Sequence, residues 1–220
     1  MEKYKVRTKD ELLLIIKESA LDADLNYLDV STVTDMDCLF RNSLFNGDIS
    51  QWDVSNVINM NSMFLYSQFT GDISNWDVSN VTNMAWMLKN SRFNRDISKW
   101  DVGNVNFMGY MFAGSRFNGV ISQWDVSNAR DMSYMFAGSR FNGDLTLWDV
   151  SNVTSMSGMF HTSVFNSDIS EWSVGNVVDM SLMFIHSGFN GDISKWNVSK
   201  LTNSHDMFEK SRFTGYIPVR

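Results

Sequence analysis

The sequence runs to 220 residues, of which 44% are apolar and 20% charged, a balance that can bury a core and excludes compositional disorder. Its net charge of −7 argues against a surface that wraps nucleic-acid phosphates. A single cysteine, Cys38, excludes an internal disulfide framework and a multi-cysteine zinc site.

The first 27 residues carry no repeat and are expected to form an N-terminal cap. Within them Thr8-Lys9-Asp10-Glu11 is a capping-box pattern that opens an apolar helix through about Ile16–Ala20. The longest aliphatic run, Leu12 to Ile16, is far short of the roughly 20 apolar residues a membrane-spanning helix needs, so no membrane insertion is expected. No basic and then apolar leader opens the sequence, so no removable secretion signal is expected either.

From Leu28 onward the sequence is periodic. Trp52, Trp76, Trp100, Trp124, Trp148, Trp172 and Trp196 follow one another at intervals of 24 residues, with Leu28 in the same phase one unit earlier. Residues 28–219 thus divide into eight units without insertion or deletion. With the Trp as position 1 the consensus is W-D-V-S-N-V-T-N-M-x-x-M-F-x-x-S-x-F-N-G-D-I-S-x. An unbroken period of this length predicts a stacked array in which no unit buries its apolar face alone.

Inside one unit, Ile73, Trp76 and Val78 alternate as a half-buried strand does. Val57, Met60, Met63 and Phe64, at offsets of 3, 6 and 7, are expected on one face of a short helix. Ser and Asn at positions 4 and 5 would cap its free N–H groups. Phe at position 18 re-enters the core, and Asn-Gly at 19–20 makes a turn. The fold class read from this pattern is α/β: a leucine-rich-repeat-like solenoid with one parallel strand per unit and an N-terminal capping helix. At the far end the unit decays, with Ser204 in place of the core Met and Tyr216-Ile217-Pro218 in place of Asp-Ile-Ser. Pro218 removes a backbone N–H there, which suits a terminal edge that must not recruit another strand.

Segments such as Trp76-Asp77-Val78-Ser79-Asn80-Val81-Thr82-Asn83-Met84 and Phe189-Asn190-Gly191-Asp192-Ile193-Ser194 carry a family resemblance. The chain resembles the degenerate leucine-rich-type repeats of BspA-like bacterial surface proteins, which also occur in mycoplasma lipoproteins. The resemblance implies a solenoid used in surface display, adhesion or protein binding, with no shared catalytic residues. It implies a cell-surface or secreted location. The sequence shows no signal peptide, lipobox or sorting tail, which leaves a cytoplasmic location open.

Two acidic columns raise the question of cations. Asp29, Asp53, Asp77, Asp101, Asp125 and Asp149 share position 2, and Asp48, Asp72, Asp96, Asp144, Asp168 and Asp192 share position 21. Each Asp is expected to accept backbone N–H groups of the bend that follows it. The alternative is a row of calcium ions between units, but Val120 breaks the second column without disturbing the repeat. No metal and no cofactor are expected.

Function is sought where the scaffold does not dictate the residue. Position 11 holds three successive aromatics, Trp86, Tyr110 and Tyr134, and position 17 holds Arg92, Arg116 and Arg140 in the same three units. This aromatic–arginine patch is the candidate binding site. The structural alternative is that the rings pack flat on neighbouring units while the arginines cover them. No phosphate loop, Ser-His-Asp set or His-Glu motif interrupts the repeat, so no enzyme is expected. The expected function is a repeat scaffold that binds a protein partner, host or cell-surface. A self-associating structural protein, with the patch as a homodimer seam, and a glycan-binding module are the alternatives.

Overall fold

The structure, a computed structural model, describes residues 3–218, so Val219 at the end of the eighth unit lies outside the described residues. The chain is mostly non-helical. One α-helix, α1, spans Lys9–Glu18, and a two-residue parallel pair joins β1 (Tyr4–Lys5) to β2 (Leu28–Asp29). The capping box forms where it was expected: Thr8 Oγ1 accepts the Glu11 N–H at 3.1 Å. The Glu11 carboxylate reaches back one residue beyond the cap, to the Arg7 N–H at 2.7 Å. Asp10 and Glu11 lie at the positive end of the helix dipole and Lys17 at the negative end. Leu12 and Ile16 are buried in the same hydrophobic cluster as the first unit.

Beyond β2 the contacts repeat with the period of the sequence. Parallel bridges link Asp35 to Asn59, Asn59 to Asn83, Asn83 to Phe107, and so on to Asn203, each pair 24 residues apart. Successive units therefore lie side by side and in register. The α/β expectation of a strand over Trp-Asp-Val and a helix over positions 6–13 in every unit is not met. The strand character of a unit is reduced to one bridge at position 8.

A chain of turns replaces the helix. In the fourth unit the N–H groups of Met111, Ala113 and Ser115 donate three residues back, to Met108, Tyr110 and Phe112 carbonyls. The N–H groups between them, on Met108, Tyr110, Phe112 and Gly114, donate instead to Asp131, Ser133, Met135 and Ala137 of the next unit. The apolar positions 3, 6, 9 and 12 are three apart, which matches turns closed over three residues better than a helix of 3.6 residues per turn. Turns such as Val57 N–H to the Val54 carbonyl and Met63 N–H to the Met60 carbonyl have both ends on inward apolar residues. Two residues per unit are left-handed, at positions 11 and 15, with φ between 52° and 63° in all eight units. A right-handed helix cannot pass through them.

The core is the one expected. The Trp, Val, Met and Phe columns are buried through the first seven units, Trp124 being 3% exposed, and only Phe208 and Phe213 in the last unit are partly buried. Each repeat Trp also makes a directional bond. Trp124 Nε1 donates to the Ile97 carbonyl of the preceding unit at 3.1 Å, and Trp148 Nε1 to that of Ile121 at 3.0 Å. The Ile97 carbonyl also takes the backbone N–H of Trp100 within its own turn. Asn at position 5 caps no helix. Its amide donates to the position-4 carbonyl of the preceding unit, as in Asn128 to Gly103 at 2.7 Å and Asn152 to Ser127 at 2.9 Å.

The bonding between units runs one way over positions 9–15: the N–H groups at 9, 11, 13 and 15 donate to the next unit, whose carbonyls at 8, 10, 12 and 14 accept them. In the last unit Ser204, Asp206, Phe208 and Lys210 occupy the donor positions, and their N–H groups meet no acceptor among the described residues. An apolar cavity of about 230 Å³ opens beside them, lined by Trp196, Leu201, Met207 and Pro218, where Ser204 stands in for the core Met.

Hydrogen exchange should resolve this asymmetry. The amides of Ser204, Asp206, Phe208 and Lys210 should exchange near the rate of a free chain. Those of Met108, Tyr110, Phe112 and Gly114 should be protected to nearly the global unfolding free energy. Separately, Trp124→Ala should cost about 3–5 kcal/mol in denaturant unfolding, from a core cavity and the lost indole bond to the Ile97 carbonyl. Asn75→Ala, at an exposed position, should stay within about 0.5 kcal/mol.

Candidate binding face

Both acidic columns are occupied with local bonds. Oδ1 of Asp29, Asp53, Asp77, Asp101, Asp125 and Asp149 accepts the N–H two residues on. Asp48, Asp72, Asp96, Asp144, Asp168 and Asp192 do the same at position 21. These bonds favour the charged form. The Ser hydroxyl and then the N–H hold Asp29, Asp77 and Asp125 below the usual carboxylate range. The backbone N–H, the largest cause at position 21, lowers Asp48, Asp72 and Asp168. Asn197 makes the same turn with Ser199 at 3.1 Å, so the column needs an acceptor rather than a charge.

The aromatic row is a face-to-face stack. Trp86 and Tyr110 lie 4.1 Å apart between ring centroids at 17°, and Tyr110 and Tyr134 4.7 Å apart at 7°. All three rings are half-buried. The stack ends at Gly158, the same position one unit on, where an added Cβ would fall 2.3 Å from the Tyr134 ring. Tyr134 therefore lies on a bare backbone. His161 meets the Tyr134 ring edge-on at 6.1 Å. At the other end the Lys89 ammonium sits 3.9 Å from the Trp86 centroid and 4.4 Å from that of Tyr110. Burial lowers the Lys89 pKa and raises that of Tyr110.

These rings occupy left-handed backbone, Trp86 at φ 63°, Tyr110 at 60° and Tyr134 at 55°. Glycine is the residue that takes this conformation freely, as Gly158 does at φ 59°. The expectation that the rings pack flat holds in geometry, but they pack on one another, and the cation over them is Lys89. Arg92, Arg116 and Arg140 are exposed, and their guanidinium groups bond to no protein atom among the described residues. Arg116 and Arg140 instead flank a groove with Gly114, Ser115 and Gly138. Sequence reasoning misses Lys89, which stands at position 14 between Leu65 and Ala113, and the two glycines at position 15. The signal for the glycines is present: that column loses its side chain only in the two units where column 17 carries Arg116 and Arg140.

Among the described residues no group of three or more His, Cys, Asp or Glu side chains is placed to hold a metal ion. No helix among them is long and apolar enough to cross a membrane. The family described as "Mycoplasma protein of unknown function, DUF285" has a sequence model that matches residues 13–118 and again 115–217. The chain belongs to this family. The two DUF285 matches run nearly end to end across the repeats, with the second beginning inside the fourth unit. No curated protein and no solved structure matches the chain.

Two measurements test this description. Because the pKa values of Asp29, Asp48, Asp72, Asp77, Asp125 and Asp168 are depressed in the folded state, their stabilisation is present above the unfolded carboxylate value, about 4, and is lost as pH falls through the folded values. The unfolding free energy should therefore drop steeply below about pH 4, and Asp77→Asn should lessen that drop while costing little at pH 7. At Thr162, an exposed β-branched residue at φ 53°, Thr162→Gly should raise stability by about 1 kcal/mol in chemical denaturation.

Proposed function

We propose that this chain is a non-enzymatic scaffold, a leucine-rich-repeat-like solenoid of eight units, that binds a partner protein through the face centred on Trp86, Tyr110 and Tyr134. The observation that carries the reading is the retention of three aromatics at left-handed positions. Each costs about 1–2 kcal/mol in backbone energy, and stacking returns about 0.5–1.5 kcal/mol per pair. Stability alone leaves little net reason to keep them, whereas aromatic edges beside cationic groups suit a protein interface. Sugar binding by ring stacking has less support, since both faces of Tyr110 are covered by its neighbours, Tyr134 lies between Tyr110 and Gly158, and Lys89 covers Trp86. With BspA-like surface proteins as the comparison, display and adhesion are the settings in which such a face would work.

The test uses Trp86→Gly, Tyr110→Gly and Tyr134→Gly together, a change the Gly158 unit already accommodates. Relief of strain at three positions, about 3–6 kcal/mol, outweighs the loss of two stacked pairs, about 1–3 kcal/mol, so the variant should unfold no more easily than the intact chain. The variant should fail to retain the proteins that the intact chain captures, or to self-associate if light scattering shows the intact chain to be a dimer. Retention of the same partners by the variant would overturn the reading.

A further inference from the structure

We propose that the groove floored by Gly114 and Gly138 and flanked by Arg116 and Arg140 receives the carboxylates of a short acidic segment of the partner protein. This rests on the reading of the face given above and names the chemistry of what binds there. The groove has a volume of about 460 Å³. It exists because two successive units lack a side chain at position 15, where the others carry Asn42, Tyr66, Asn90, Thr162, His186 and Lys210. At Gly114 the Asn90 side chain leans over the backbone, its Oδ1 2.0 Å from where a Cβ would be. Towards the other side, the Thr162 hydroxyl lies 3.7 Å from where a Gly138 Cβ would be.

The charge at this groove is unanswered by the protein. The chain holds 25 acidic and 18 basic residues, yet no arginine enters a salt bridge among the described residues. Lys9, Lys195 and Lys210 are paired with carboxylates. Arg95 and Arg130 at least donate to backbone carbonyls. Arg116 and Arg140, in adjacent units, have neither kind of partner among the described residues, so two like charges stand together with their donors free. The Lys89 ammonium over Trp86 and Tyr110 adds to the same field. A planar guanidinium pairs a carboxylate through two parallel bonds, which a surface short of its own acids leaves available.

Size limits the ligand. The row from Arg92 to Arg140 crosses three units, about 10 Å at about 4.8 Å per unit, the reach of about three extended residues. A long polyanion would run off this stripe onto a chain of net charge −7.

A fluorescein-labelled hexaglutamate peptide, titrated with the full chain at low ionic strength and followed by anisotropy, tests the proposal. Binding is expected, and Arg116→Gln with Arg140→Gln should weaken it at least tenfold. Gly138→Asn, which fills the floor with the residue used at Asn42 and keeps both charges, should weaken it several-fold. Arg212→Gln, in the same column but outside the groove, should leave it unchanged. Absence of binding at millimolar peptide overturns the proposal, as does an equal loss with Arg212→Gln or no effect of Gly138→Asn. Tighter binding of hexauridylate than of hexaglutamate overturns it in favour of nucleic acid. If hexaglutamate fails while partner capture still depends on the aromatic row, this inference falls and the reading of the face stands. If the peptide binds as described and the triple-glycine variant keeps every partner, the reverse holds.

Discussion

Every second backbone N–H over positions 9–15 has only the next unit to bond to, and the structure follows from that constraint. The amides of Met108, Tyr110, Phe112 and Gly114 are satisfied only if residues 131–137 are in place, and so on along the chain. A buried amide without a partner is costly, so no unit is stable by itself and the neighbours fold each other. The Trp column adds a second bond between units, from the indole to the preceding position-22 carbonyl. Because the backbone donors of positions 9–15 face one way and the acceptors the other, the two ends of the array differ chemically. At the acceptor end stands α1, with the Lys9 ammonium 3.0 Å from Asp35. At the donor end four amides remain unmatched among the described residues.

The same alternation explains the left-handed residues. To send alternate N–H groups sideways while the others close three-residue turns, the chain must reverse its local twist, and it does so at positions 11 and 15 in every unit. Side chains there project away from the core, which frees them from packing and exposes them to selection for something else. Position 11 uses that freedom for stacked rings and position 15 for a bare groove floor. The aromatic row and the arginine-flanked groove are thus neighbouring products of one backbone device.

Much of this was legible in the sequence. The period, the buried Trp, Val, Met and Phe columns and the α1 capping box follow from spacing and hydrophobicity alone. So do the Asp turns at position 2, since Asp two residues before a Ser N–H has one short-range partner. The turn chain was not legible. Offsets of 3, 6 and 7 fit a helix over so short a segment, and the residues that rule it out, Trp86, Tyr110 or Leu182, are types that seldom signal positive φ. Nor could strand content be judged, because inter-unit bonds made by turn backbone look like nothing in particular along a single unit. The aromatic row stands out as a run in a variable column. Lys89 and the glycine floor do not, because Lys89 is significant only through Trp86 and Tyr110, 3 and 21 residues away, and Gly114 only beside Gly138, 24 residues on.

The most direct test of mutual dependence between units is to remove part of the array by one period and by half a period. A chain lacking residues 124–147 joins Val120-Ile121-Ser122-Gln123 to Trp148 with every column intact. It should melt cooperatively, keep the near-ultraviolet circular dichroism of buried indoles, and lose only the signal of one unit. A chain lacking residues 124–135 breaks every column downstream and should not fold past that point. If both deletions fold equally well, or neither does, the units are not bonded in register as described.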